Sequence, residues 1–376
     1  MKHSLHAPAR IMQFGTSRFL LAHADYFIAQ SKAAGRGGER IVVVQGSNRP
    51  AGQKKARAIA EQPVYPVIFR GRRDGQDYDE RVSVDILETA LIADIDWTEI
   101  EQRFVEDIDI VISNTGEEGF KVDENDCFDA SPPRSFPLRL LRLLQARFAA
   151  GGAGVTILPC ELLHANGRTL YELIEQLAAK HCPDSAFQSW LREHCLWADT
   201  LVDRIVSGEL DPLGAVAEPY GLWAIARQPG LSLPFSHPDV RLVDELDPFE
   251  MRKLHLLNGP HSWLVQWRAI RREQSSIRYV REAVNYSPYR EPLERMMRDE
   301  VVEVLAAELP REELEAYVAT ALERFANPHL DHALDDIAQH HSEKLHRRLL
   351  PIHQSGKQQG IKTPLIDQVL AAAEVI

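Results

Sequence analysis

Most features that would declare a function outright are missing from the sequence. Its four cysteines, Cys127, Cys160, Cys182 and Cys195, form no CxxC pair, which argues against a disulfide framework and against a zinc ribbon. No stretch reaches the roughly 18 uninterrupted apolar residues of a membrane span, and the opening MKHSLHAPAR has no apolar segment of a secretion signal. The expectation is a cytoplasmic protein with no membrane partner. Long basic runs are missing as well. With 43 Lys and Arg against 55 Asp and Glu, the net charge is −12, the wrong sign for a general binder of nucleic acid. What remains is an ordinary globular composition, 376 residues with 44% hydrophobic content. That length calls for two domains, because single cores stop growing at roughly 250 to 300 residues.

The first 160 residues alternate short β-branched runs with helical ones, the pattern of a parallel sheet wrapped by helices. Arg10 to Phe14 reads as a first strand ending at Gly15, Phe19 to Lys32 as a helix, and Ile41 to Val44 as a second strand. Ile108 to Ile112 and Gly154 to Leu158 have the apolar character of strands buried on both faces. Each stops at a polar cluster, SNTGEEG or PCELLHANG, and ligands of open α/β sheets bind beyond the carboxyl ends of the strands. From about Thr169 helical patterns take over: Leu170 to His181, Phe187 to Cys195, Glu291 to Glu308 and Arg311 to Phe325. The expected fold is α/β, a Rossmann-like dinucleotide-binding domain over 1–205 followed by a mainly α-helical domain over 206–376.

The turn after the first strand is an eroded phosphate-binding loop. A GxGxxG motif needs glycine where this chain has Ser17 and Leu20, so only Gly15 survives. A lone glycine there also serves a plain strand-to-helix turn. The second strand ends in Gln45, Ser47, Asn48 and Arg49, not in the acidic residue that usually holds the adenosine ribose. NADP therefore stays open beside NAD.

The chemistry concentrates in FEMRKLHLLNGPHSWL. On an ideal helix Glu250, Lys253 and His261 fall within about 80° of one another, so a carboxylate, an amine and an imidazole share a face. Pro260 lacks an N–H and crowds the carbonyl of Leu256, so a local bend is expected, turning Asn258 toward the same side. The surrounding Leu254, Leu256, Leu257, Trp263 and Leu264 imply burial, and buried polar groups need partners or a purpose.

Lys253 followed by LHLLNGPH resembles the K-x4-N-G-x-H signature of the polyol-specific long-chain dehydrogenases, the mannitol dehydrogenase family. RIMQFGTSRFL, SNTGEEGF, ILPCELLHANGRTL, DTLVDRIVSG and ERFANPHLDH are similar to its tagaturonate reductase (altronate oxidoreductase) branch. The resemblance implies a metal-independent NAD(P)-dependent oxidoreductase that interconverts a secondary alcohol of a sugar acid or polyol and its ketone, best matched by the altronate/tagaturonate pair. It implies Lys253 as general acid/base, Asn258 and Asn166 as amides around the oxyanion, His261 as a hold on a neighbouring hydroxyl, and Glu250 as a proton relay. A lysine ordinarily titrates near 10.4, so such a base needs surroundings that favour the neutral amine. Gly15, Ser17, Phe19, Gln45, Ser113, Thr115, Val202 and Asp203 are the implied cofactor contacts. Lys344 matches a substrate-binding lysine suited to a carboxylate. The chain is shorter than the usual tagaturonate reductase, so mannitol- or mannonate-type and sugar-alcohol-phosphate dehydrogenation stand as alternatives.

Two readings of other classes remain. His332, Asp336 and His340 are spaced i, i+4, i+8, as ligands of a metal-dependent hydrolase or lyase on one helix face would be. The eroded glycine turn also suits a non-enzymatic NAD(P)-binding regulator.

Overall fold

The computed structural model describes residues 10–116, 119–273 and 276–376. Thirteen strands are described: β1 Ile11–Phe14, β2 Ile41–Gln45, β3 Tyr65–Arg73, β4 Gln76–Val84, β5 Leu87–Ile92, β6 Ile110–Ser113, β7 Thr156–Pro159, β8 Leu196–Trp197, β9 Thr200–Asp203, β10 Val206–Glu209, β11 Ala215–Ala217, β12 Leu222–Ala226 and β13 Val240–Val243. The main sheet has six of them in the order β5-β2-β1-β6-β7-β8, all parallel. Numbered within the sheet, this is 3-2-1-4-5-6, the dinucleotide-binding order, with its topological switch between β1 and β6. The apolar runs predicted from sequence are its central strands. IMQF and IVVVQ are buried at every position, as residues covered on both faces must be.

The chain divides into two compact units. Of the described residues, the first comprises 10–69, 80–116, 119–217 and 221–246. The second comprises 247–376 together with 70–79 and 218–220. The sequence placed the division near residue 205, whereas the first unit runs to Leu246. The difference comes from strands β8 to β13, which occupy a stretch expected to be mainly helical. These strands are two to five residues long, too short to show a periodicity that competes with helix patterns. Two other elements also differ. The predicted helix Phe19 to Lys32 breaks at His23 (φ −122°, ψ −89°) into Arg18–Ala22 and Ala24–Ala33. The predicted Glu291 to Glu308 helix becomes Ser287–Arg295, a π-helical turn Met296–Val302 and a last turn Glu303–Leu305.

The second unit is helical over 247–376 and has its own core, in which Leu256, Trp263, Met296, Val301, Leu314, Leu345 and Leu370 are buried together. Arg311–Phe325 is the helix expected there. Among the described residues no helix is long and apolar enough to cross a membrane.

Candidate active site

The first unit carries a cavity of about 400 Å³ at the switch point between β1 and β6. Gly15, Ser17, Gln45, Ser47 and Thr115 line it, together with Thr16 and Asn114, which the sequence reading passed over. Gly15 has φ +121°, and a Cβ there would stand 2.7 Å from the Asn114 carbonyl oxygen. Only glycine fits this crossing of two loops. Ser17 caps the following helix by accepting from Leu20 N at 3.2 Å and donates to Asn114 Oδ1 at 3.1 Å. At the end of β2, Gln45 accepts from the Thr16 hydroxyl at 2.6 Å and donates to Ser47 at 2.8 Å. An amide stands where a dinucleotide site usually has its carboxylate. Phe19, Ser113, Val202 and Asp203 lie outside the cavity lining. Phe19 packs its ring 4.6 Å from that of His23, and Val202 and Asp203 are buried within β9, paired with β12.

Below the cavity a buried acid joins the two predicted polar loops. Glu161, from PCELLHANG, accepts from Ser113 Oγ, Thr115 N and Thr115 Oγ1, each at 2.9 Å. Burial pushes its carboxyl up, and those three bonds pull it back. Ser113 thus supports Thr115 from beneath. Asn166 serves the same loop. Its amide nitrogen donates to the carbonyls of Pro159, Glu161 and Thr200 at 3.0 to 3.1 Å, and its oxygen accepts from Thr200 N at 2.8 Å. Both amide hydrogens are engaged with backbone in this structure.

A second buried acid, Asp25, escaped the sequence reading because an Asp in the first turn of a helix usually faces water. It is fully buried, accepting from Tyr65 Oη at 3.2 Å and more distantly from Gln13 Nε2 at 3.5 Å. Burial pushes its carboxyl up to about 7, against the two bonds, which favour the charged form. An unfolded chain releases this proton near pH 4. The stability linked to Asp25 is therefore complete below about pH 4 and is lost as the pH rises through about 7. Asp25→Asn keeps the neutral shape, so its Tm should fall less than the parent's between pH 5 and 8. A parent and variant with parallel Tm profiles would clear Asp25 of any part in the pH dependence.

In the second unit the predicted Lys-Asn-His segment is built around a π-helical turn, Lys253–Asn258, between helices Asp247–Arg252 and Gly259–Arg271. Gly259 N–H bonds to the Leu254 carbonyl, five residues back. Pro260 has no N–H to give to Leu256, and the wider turn absorbs that missing bond without breaking the helix. Residues five apart stand about 140° apart on an α-helix. The π turn, which closes through i→i+5 bonds, brings Lys253 and Asn258 closer to one face. Both are half-buried. His261 is 5% exposed and packs 4.6 Å from the rings of Phe325 and His332. Burial, then the neighbouring His332, Arg348 and Arg324, hold its proton affinity well below that of an ordinary histidine. It is a neutral imidazole at pH 7, and its Nε2 is buried without a hydrogen-bond partner.

Lys344 lies in the helix His341–Arg348 and donates to the Ile337 carbonyl at 2.9 Å. The proposed metal ligands do not share one helix: His332 precedes the short helix Leu334–Ile337, and His340 stands at φ +53° before the next. Among the described residues no group of three or more His, Cys, Asp or Glu is placed to hold a metal ion.

Comparison with known proteins agrees with both halves. The mannitol dehydrogenase Rossmann domain matches residues 9–232, and the mannitol dehydrogenase C-terminal domain matches residues 245–374. The chain belongs to the mannitol dehydrogenase family. Altronate oxidoreductase of Cronobacter sakazakii is 32% identical over 397 residues, covering 97% of this chain and 79% of that protein. The enzyme of the same name from Klebsiella pneumoniae (strain 342) is 33% identical, covering 95% and 77%. A D-sorbitol dehydrogenase crystal structure shares the fold at TM-score 0.86 and 20% identity, covering 97% of this chain and 79% of that one. Pseudomonas fluorescens mannitol 2-dehydrogenase, solved with NAD and D-mannitol, does so at 0.77 and 21%, covering 97% and 78%.

The remaining family segments have structural work. In ERFANPHLDH, Arg324 makes a two-pronged, fully buried ion pair with Glu218 at 2.8 and 3.0 Å. Asn327 donates to the Arg70 carbonyl at 3.0 Å. In DTLVDRIVSG, Arg204 is buried against the rings of Tyr26, Phe27 and Phe69, 4.8 to 5.2 Å from their centres. These arginines stabilise the units in which the polar site residues sit.

Proposed function

We propose that the chain is an NAD-dependent oxidoreductase that interconverts a secondary alcohol of a sugar acid and the corresponding ketone, with the altronate/tagaturonate pair as the best match. The observation that carries the reading is the π turn presenting Lys253 and Asn258 beside His261, whose buried Nε2 awaits a partner. An orphaned imidazole nitrogen is costly unless a ligand hydroxyl completes it.

The cavity at Gly15 fits a dinucleotide: a glycine allows close approach, hydroxyls and amides of Thr16, Ser17, Gln45, Asn114 and Thr115 offer neutral hydrogen bonds, and Ser113 with Glu161 props the loop. NAD bound there would accept the hydride released from the carbinol carbon. Lys253 takes the hydroxyl proton during oxidation and returns it in reduction, with Glu250 passing it on to water. Asn258 donates its amide N–H to the oxygen as negative charge develops. His261 holds a neighbouring hydroxyl and so orients the reacting carbon. Asn166 holds the β7 loop, and Lys344 pairs with the substrate carboxylate.

Absorbance of the reduced nicotinamide, followed with altronate, mannonate, mannitol and arabinitol and with each cofactor, tests this reading. Both cofactors belong in the assay because Gln45 puts no negative charge in the way of a 2′-phosphate. Turnover of altronate is expected, and no turnover of any of the four would instead favour a regulator. Asn258→Ala should lower kcat/KM by about 100-fold, close to 3 kcal/mol of transition-state stabilisation. An unchanged kcat/KM would take Asn258 out of the oxyanion contact.

A further inference from the structure

Several basic side chains near the Lys253–His261 segment are paired with acids, Arg252 with Glu313 and Arg268 with Asp335 among them, but Arg348 and Lys344 are bonded differently. Arg348 is fastened to that segment at three points. Its carbonyl accepts from His255 Nδ1 at 2.8 Å, and its guanidinium donates to the Asn258 carbonyl at 3.2 Å and to Ser262 Oγ at 3.0 Å. Gly259 makes room for this approach, since a Cβ there would stand 3.3 Å from Leu349 Cδ2. Among the described residues the acceptors of Arg348 are thus neutral, and its Nε is buried without a partner. Lys344, one turn earlier, donates to the Ile337 carbonyl. Among the described residues neither cation meets a carboxylate.

Three imidazoles complete the group. His261 Nε2, His332 Nδ1 and His341 Nδ1 are each buried without a hydrogen bond. Burial first, and then Arg348 among the neighbouring charges, lowers the proton affinity of all three; Asp336 beside His332 is the one acid acting against this. The imidazoles therefore stay neutral and offer hydrogen bonds, while Arg348 and Lys344 supply positive charge. A half-buried guanidinium with a free N–H and only neutral acceptors is a costly arrangement until an anion arrives. Planar carboxylate and phosphate oxygens suit a guanidinium better than an ammonium does.

We propose that Arg348, supported by Lys344, His332 and His341, seats the negatively charged end of the substrate and is the residue that makes this enzyme prefer an anionic sugar to a neutral one. The proposal rests on the dehydrogenase reading above, and it commits to a carboxylate as the anion. Because Arg348 is tied to the Asn258 carbonyl, the anion docks beside the oxyanion-binding amide. A neutral polyol would leave the guanidinium uncompensated.

The test compares parent, Arg348→Met and Arg348→Lys with three probes: altronate, mannitol 1-phosphate and mannitol. In Arg348→Met, kcat/KM for altronate should fall by about 30-fold or more, chiefly through KM, with mannitol falling by less than about fivefold. Arg348→Lys should recover part of the altronate loss. Equal losses on altronate and mannitol would overturn the proposal, because Arg348 would then only brace the helix. A selective loss on mannitol 1-phosphate with altronate unaffected would overturn the carboxylate assignment. Calorimetric titration of altronate into protein saturated with NADH reads the subsite without turnover. Binding lost in Arg348→Met supports the proposal, and no binding to the parent overturns it, even if the dehydrogenase reading stands on neutral substrates. Should Arg348→Met not fold, Lys344→Met reads the same subsite and should selectively weaken altronate.

Discussion

Lys253→Ala should lose nearly all hydride transfer while still binding the dinucleotide. A positioned general acid/base contributes about 100- to 10,000-fold to a proton transfer, and no other amine of the π turn can replace it. The Gly15 cavity is lined by residues of the first unit alone, so truncating a side chain of the second should leave NADH affinity close to that of the parent. Lys253→Arg should not rescue turnover, because a guanidinium stays protonated throughout the working pH range. Single-turnover kinetics with altronate, alongside fluorescence titration of NADH, separates the two effects. Turnover within tenfold of the parent in the alanine variant would end the proposed mechanism.

The second large effect is expected at the other end of the chemistry. Gly15→Ala forces a methyl group to 2.7 Å from the Asn114 carbonyl and places an L-residue at φ +121°. Backbone strain of this kind costs about 1 to 3 kcal/mol by itself, and backbone atoms on both sides of the clash have little room to yield. Because the β1 and β6 loops that cross here also line the cavity, NADH affinity should fall by more than about tenfold, with a lower Tm. Gly35→Ala is the control: Gly35 also has positive φ (+66°), but nothing lies within 4 Å of the added methyl. It should lose a little stability and no cofactor affinity. Parent-like NADH binding by Gly15→Ala would mean that the dinucleotide lies elsewhere.

Legibility varied along the chain for physical reasons. β1, β2, β6 and β7 could be read because strands buried on both faces must be apolar throughout, and their ends marked the cleft. Lys253, Asn258 and His261 could be singled out as candidates because a short helical span lists its polar residues in order. Asp25 and Glu161 were missed since nothing local distinguishes a buried carboxylate from a solvated one. Their partners Tyr65, Ser113 and Thr115 lie 40 to 48 residues away in sequence. Asn166 was singled out, but its bonds to backbone could not be read, as an amide's partners depend on which carbonyls fold back onto it.

The amino-acid order alone determined a parallel sheet with a cavity beside Gly15, a helical second half, and a polar segment with an amine, an amide and an imidazole at fixed spacing. Each of these follows from local periodicity and side-chain chemistry. Tertiary structure alone decided that the segment is wound as a π turn, that Asn166 is spent on its own loop, and that Arg348, ninety residues beyond Asn258, is held against it. Packing and hydrogen bonding between distant parts of the chain carry no periodic signal, so those choices appear only once the chain has closed on itself.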